Sequence, residues 1–313
     1  MDSAGRRTRP ARRGRHQNWA IRQRVLCSRY VRCSLIKSRV AKSANRKSST
    51  VASPLRRAYD LMRARFGHQH WWPGDTPFEV CVGAILTQNT NWGNVERAIA
   101  NLKAARVLEP EKLFALSEKR LADLICPAGY FNVKARRLRS FLRVLVEECD
   151  ADHEPVSQRA ADVSSAEPFK TCRQDAGSTL ACLQRLFAGE TSAVRDRLLR
   201  ISGIGPETAD SMLLYAGGHH SFVVDAYTKR IFQRHEWNPK SKVQSPKSSS
   251  GYDELKQLCE SVLNEKPVLE RLDYWQDYHA QLVMVGKHFC RTRNPLCDQC
   301  PLKPLLPGNK DNL

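Results

Sequence analysis

Acidic residues are almost missing from the first fifty positions of this 313-residue chain, where Asp2 alone faces 15 Lys and Arg. A segment so charged, and without an apolar period, cannot bury enough surface to offset the entropy of ordering it. Residues 1–52 therefore read as a basic disordered tail. A basic arm on phosphates, an organellar transit peptide and a dispensable extension are all open readings. Long apolar runs are missing too. None approaches the roughly eighteen residues that a membrane helix requires, so no membrane partner is expected. A secretory signal of the usual kind is not recognisable. Strand-like alternation is scarce, with only Phe222-Val223-Val224 looking extended, and no internal repeat is visible. The class expected is all-α. Cysteine is not scarce, at eleven residues. The last three cluster and the others scatter, which favours a reducing compartment with one metal or cluster site over a disulfide framework.

The formal net charge of +19 suits an anionic partner. The tail carries most of it. Positions 51–313 hold 36 basic and 31 acidic residues, so the folded part is only mildly basic. Ser53 and Pro54 have the form of a helix start. Leu55, Ala58, Tyr59, Met62 and Phe66 follow at helical spacing, and Gly67 supplies a stop. Thr76-Pro77-Phe78-Glu79 has capping-box form and opens a helix to about Thr87. Further helices are expected over 95–105, 118–125 behind Ser117, and 133–148 behind Asn132. Others follow over 180–187, 194–201, 254–263 and 274–289. The polar stretch 150–179 reads as a surface insertion, and 239–251, rich in Ser and Lys, as a linker.

Two helices meet at Gly203-Ile204-Gly205. The glycines permit backbone angles closed to other residues, Ile204 can anchor the turn, and Pro206 suits a helix's first turn. The second helix then offers free N–H groups and a positive dipole end to a phosphate oxygen, without reading sequence. A plain tight turn is the alternative. Twenty residues on, Val224-Asp225 places a carboxylate after an apolar stretch. That is either a helix cap or a buried acid with a task.

Together, the hairpin, Val224-Asp225, the segment Ile85-Leu86-Thr87-Gln88-Asn89-Thr90 and the terminal cysteines resemble the helix-hairpin-helix (HhH-GPD) DNA glycosylase superfamily, endonuclease III-like. The resemblance spans about Ser53 to Pro307. It implies two helical lobes with a cleft: a central lobe of about 76–230 that contains the hairpin 198–210, a second lobe from 53–75 plus 231–289, and a cysteine loop 290–307. It implies that Asp225 is the catalytic carboxylate, which stabilises positive charge on the sugar and activates a water. Gly203, Ile204, Gly205, Gln88 and Asn89 would contact DNA, with the Gln88 amide entering the gap left by a flipped base.

Relatives that also cut the strand carry a Lys in the hairpin's second helix, whose amine forms a Schiff base. Glu207 stands at that position and cannot form an imine. Lys229 is near in sequence but does not match the motif. The expectation is hydrolytic base removal with little or no lyase activity. His70-Trp71-Trp72-Pro73 and Trp92 resemble the 3-methyladenine DNA glycosylase branch, where such residues shape the base pocket. Stacked aromatic faces favour a cationic alkylated purine. An endonuclease III-like bifunctional enzyme acting on oxidised pyrimidines is the alternative, and a non-catalytic DNA-binding protein is the alternative of another class.

Cys290, Cys297 and Cys300 match three of the family's four ligands to a 4Fe–4S cluster, and Leu306 stands where the fourth would be. Cys259 or a non-cysteine ligand could complete the set. Zinc on the three thiolates plus His288 is a second option, and a metal-free remnant a third. Lys287 and Arg291 beside the cysteines could contact phosphate. The partner expected is double-stranded DNA with a damaged base, bound by a monomer. The location would be the cytoplasm or nucleoid in a bacterium, and the nucleus or mitochondrion in a eukaryote.

Overall fold

The structure is a computed structural model that describes residues 49–72, 74–150, 176–238 and 249–308. Residues 1–48 of the basic tail, most of the polar insertion, most of the Ser/Lys linker and Pro73 lie outside the described residues. Twelve α-helices occur among them: α1 Ser49–Phe66, α2 Pro77–Leu86, α3 Trp92–Ala104, α4 Pro110–Ala115, α5 Glu118–Ile125 and α6 Phe131–Asp150, then α7 Ala176–Leu186, α8 Thr191–Leu199, α9 Pro206–Met212, α10 Ala226–Arg234, α11 Ser249–Val262 and α12 Val268–His288. No strand forms among the described residues, and Phe222-Val223-Val224 is a buried irregular segment.

Local chemistry explains several boundaries. Thr76 accepts the Glu79 N–H at 3.1 Å, with Pro77 in the first turn. The return bond differs from the expected box, because Glu79 reaches the Asp75 N–H instead. Ser117 caps α5 through the Arg120 N–H at 3.2 Å. Other boundaries move. α1 begins at Ser49, ahead of the expected Ser53–Pro54 start, and Pro54 lies inside it. α6 begins at Phe131, so Asn132 lies within its first turn rather than at its cap. The six-residue α4 was not expected, since so short a segment shows too little of a helical period.

The apolar residues form two cores. One gathers Phe78, Ile85, Leu86, Leu102, Leu138, Phe141, Leu198, Ile204 and Met212, from α2 through α9. The other gathers Leu55 and Met62 of α1 with Tyr215, Phe222, Val224, Phe232, Cys259, Trp275 and Tyr278. α2 serves both: Val80 packs in the second core and its other buried apolar residues in the first. Its residues from Phe78 to Leu86 are all buried, as expected of a helix apolar on every side. Its one charge, Glu79, is paired with Lys103 at 2.7 Å.

Two buried acids pin the segments that carry the site. Asp210 of α9 accepts Arg195 Nε at 2.9 Å, Ser221 Oγ at 2.6 Å and the Tyr252 hydroxyl at 2.9 Å. It thereby ties α8, α9, the segment before α10, and α11. Asp277 of α12 accepts Arg63 Nη1, the Tyr59 hydroxyl and the Gln69 N–H, each at 2.8 Å. The last bond holds the loop that leads to Trp71 and Trp72.

Candidate active site

The hairpin turns on Gly203, with φ at +90°. A Cβ there would also sit 2.2 Å from Arg137 Cγ, so glycine is required for conformation and for space. Gly205 departs from expectation. Its φ of −95° suits any residue, and a Cβ on it would meet nothing within 4 Å. Ile204 is buried in the first core, and its N–H closes the turn onto Ile201 O at 3.0 Å. Gln88 does not stand free. Its Nε2 donates to Gly203 O and Thr208 Oγ1, both at 3.0 Å, and its Oε1 accepts from Arg137. It clamps the hairpin against α6. Asn89 takes a left-handed φ of 54° in the turn after α2.

Asp225 is both cap and buried acid. Its Oδ1 accepts the Thr228 N–H at 2.7 Å and the Thr228 hydroxyl at 2.8 Å, which caps α10. Its Oδ2 has a different neighbour, His279 Nε2 at 3.7 Å. Burial works to raise the Asp225 pKa, but His279 and the Thr228 bonds outweigh it, and the net shift is downward. A carboxylate that is 8% exposed is thus held ionised. His279 continues inward through Nδ1, 2.6 Å from the Tyr215 hydroxyl.

Glu207, in the first turn of α9, belongs to the same electrostatic group. Its carboxyl is pushed up to about 7, first by desolvation and then by the Asp225 charge, with His279 and Lys229 opposing. The residue as a whole is nevertheless exposed, so solvent screens part of that desolvation. The two carboxyls are split by environment, with Asp225 ionised and Glu207 holding a proton toward neutral pH.

The indoles converge beside them. Ring centroids of Trp72 lie 5.3 Å from Trp92, 6.1 Å from Trp71 and 5.2 Å from Tyr215. Trp71 and Trp92 are 6.3 Å apart. Gly83 of α2 forms a floor, since a Cβ there would touch Trp72 Nε1 and Trp92 at 3.4 Å. Trp71 Nε1 and Trp72 Nε1 are buried donors without a partner. The aromatic cluster therefore runs without a break from Trp92 through Trp72, Tyr215 and His279 to Asp225.

The HhH-GPD family, described as "HhH-GPD superfamily base excision DNA repair protein", matches residues 82–263. The chain belongs to this superfamily. The match takes in the Gln88 segment, the hairpin and Asp225. Among relatives, the chain is 41% identical over 246 residues to a protein of Methanocaldococcus jannaschii named as a DNA repair glycosylase, covering 78% of this chain and 92% of that one. It is 24% identical to endonuclease III of Thermotoga maritima, covering 72% and 81%. Among solved structures, the Helicobacter pylori 3-methyladenine DNA glycosylase bound to 1,N6-ethenoadenine aligns at TM-score 0.53 and 22% identity, covering 76% and 97%. An endonuclease III–DNA complex aligns at 0.57 and 18%, covering 83% and 96%. At these identities the structures establish a shared HhH-GPD fold.

The three C-terminal cysteines border one pocket. It is small and open, and Cys290, Cys297 and Cys300 line it with Arg234, His235, Lys303 and Leu306. Neither expected substitute for the fourth ligand is there. Cys259 is buried in the second core, and His288 is exposed at the end of α12. His235 shares the cavity instead, and its Nδ1 donates to Leu305 O at 3.0 Å, which leaves Nε2 as its acceptor nitrogen. Among the described residues no group of three or more His, Cys, Asp or Glu is placed to hold a metal ion. Arg234 Nη1 donates to Cys290 Sγ at 3.1 Å. Elsewhere, Cys182 is disulfide-bonded, while Cys81, Cys126 and Cys259 are free thiols.

Sequence reasoning missed His279, Tyr215, Arg137 and Tyr130. The first two sit on helical turns whose pattern reads as ordinary core, and only their contacts across the fold reveal them. Tyr130 is 72% exposed at a positive φ of 48°, just ahead of α6.

Proposed function

We propose that the protein is a DNA glycosylase that hydrolyses the N-glycosidic bond of a damaged base, an alkylated purine in the leading reading. The observation that carries this is the continuous path from the indole cluster to an ionised, buried Asp225, with Glu207 in the hairpin opposite. The target base leaves the stack and lies against Trp71, Trp72 and Trp92. Aromatic faces beside an ionised carboxylate favour a base with positive charge, as methylation of a purine ring nitrogen provides. As the C1′–N bond breaks, its electron pair leaves with the base and positive charge grows on the sugar. Asp225 stabilises that charge. A water adds to C1′ and its proton passes to the carboxylate.

The hairpin supports the backbone-holding role. Pro206 has no N–H, so the Glu207 and Thr208 N–H groups are the donors that α9 offers to a phosphate. Gln88 and Arg137 stand behind them, and Tyr130 is a suitable wedge for the gap left by the base. The location of Glu207 denies the site an amine, so strand cleavage through an imine is not expected. Cys290, Cys297 and Cys300 are the residues that would hold an iron–sulfur group, with His235 available as a fourth donor. Such a group would brace the C-terminal segment and take no part in base release.

The test is borohydride trapping on abasic-site DNA, run beside base release from methylated DNA. Base release without a covalent adduct is expected. Efficient trapping would mean that another amine, such as Lys229, reaches C1′, and would overturn the hydrolytic assignment.

A further inference from the structure

His279 Nε2 is a buried polar atom without a hydrogen-bond partner, on a residue only 4% exposed. An unsatisfied buried group of this kind is costly, so it calls for an explanation. Three contacts provide one. First, Oδ1 of Asp225 is taken up by two bonds from Thr228, so Oδ2 is the oxygen left to act. Second, His279 Nε2 faces that Oδ2 at 3.7 Å. Third, the other ring nitrogen is anchored on the Tyr215 hydroxyl at 2.6 Å.

The proton inventory follows from Tyr215. Burial keeps its phenol protonated, its pKa lying well above the usual value. The hydroxyl has one proton and two neighbours, His279 Nδ1 at 2.6 Å and Gln276 O at 3.3 Å. Donation along the shorter contact makes Nδ1 the acceptor and leaves the Nε2–H directed at Asp225. At 3.7 Å this is not yet a full hydrogen bond. Catalytic contacts of this kind are commonly long in a free enzyme and tighten with substrate.

We propose that His279 is the positioning residue for the catalytic carboxylate: anchored by Tyr215, it aims Oδ2 of Asp225 and keeps that oxygen charged inside the protein. The inference rests on Asp225 being the catalytic group. His279 faces Asp225 from the segment before α10, Tyr215 from the turn after α9, and Glu207 from α9, with Gln276 on its own helix. Thr228 fixes where the carboxylate sits, and His279 fixes its second oxygen.

The test is a carboxylate-carbon NMR titration of the full chain, with Asp225 assigned by difference against Asp225→Asn. It is run on wild type, His279→Ala and Tyr215→Phe, beside single-turnover base release as a function of pH. Removing the imidazole is expected to raise the Asp225 pKa. The acid limb of the rate profile should move up by the same amount, with DNA affinity unchanged. Tyr215→Phe keeps the ring packing and drops only the anchor, so it should shift the limb in the same direction by less. A folded variant with an unmoved Asp225 titration would overturn the proposal, even if its rate fell. That result is distinct from failure of the Asp225 assignment, which would appear as an active Asp225→Asn enzyme.

Discussion

Replacing Asp210 with alanine should be the most destabilising single change near the hairpin. The carboxylate is wholly buried and takes two bonds from Arg195, at 2.9 and 3.2 Å. It also accepts from Ser221 and Tyr252, and Lys256 lies 3.9 Å away. Burial disfavours the Arg195 charge, but Asp210 and Asp253 more than offset that. Breaking a buried pair by removing one partner costs about 3–5 kcal/mol, because the other charge stays behind. Asp253, 44% exposed, still holds Arg195 at 2.8 Å and moderates the loss. Ser221 and Tyr252 lose acceptors at the same time, although such terms do not simply add. We expect about 4 kcal/mol for Asp210→Ala, and less for Asp210→Asn, which keeps one oxygen. For a chain of this size that is roughly 8–16 °C in Tm. The assay is thermal and urea unfolding of Asp210→Ala, Arg195→Ala and the double variant. A loss under about 1 kcal/mol, or a coupling near zero, would refute the claim that this cluster holds the hairpin's second helix in place.

Three further outcomes follow. Glu207 has a folded pKa of about 7, above its ordinary value of 4.5, so the folded state binds more protons between those limits. Its contribution to stability is fully present below that lower value and is lost as pH rises through about 7. Glu207→Gln should therefore gain on wild type in denaturation midpoint between mildly acid and mildly alkaline pH, and a flat difference would contradict the shift. Gly203→Ala should lose DNA affinity and stability together, because it meets Arg137 and strains a φ of +90°; an unaffected variant would show that the turn can reshape. Protein purified without oxygen should contain iron and absorb near ~400 nm if the three thiols carry a cluster, and Cys297→Ser should abolish the absorption. Iron-free, colourless protein with normal activity would mark the loop as a remnant.

How much was legible in the sequence depended on how far apart the interacting residues lie. The caps at Thr76 and Ser117, the turn at Gly203 and the helix start behind Asp225 are local, since a few neighbouring residues fix them. Glu207 was legible for the same reason, being four residues past Gly203. Gly205 misled, because adjacent glycines look alike in sequence and only the first takes a positive φ. Gln88 was read as the residue that enters the gap left by the base; its bond to backbone 115 residues away was not legible. His279 was invisible. A histidine among the apolar residues of a long helix reads as core, and its partners Tyr215 and Asp225 come from other elements. The three indoles, expected to shape a base pocket, do lie beside one another, while Tyr215, the ring that links them to the acid, carried no local signal.

The most direct test of the account is single-turnover base release by Asp225→Asn, with DNA binding measured on the same preparation. The asparagine keeps the shape and an oxygen to cap α10, but not the charge that meets the sugar. Full-strength binding with base release reduced by orders of magnitude is the predicted result. Release at the wild-type rate would contradict the account.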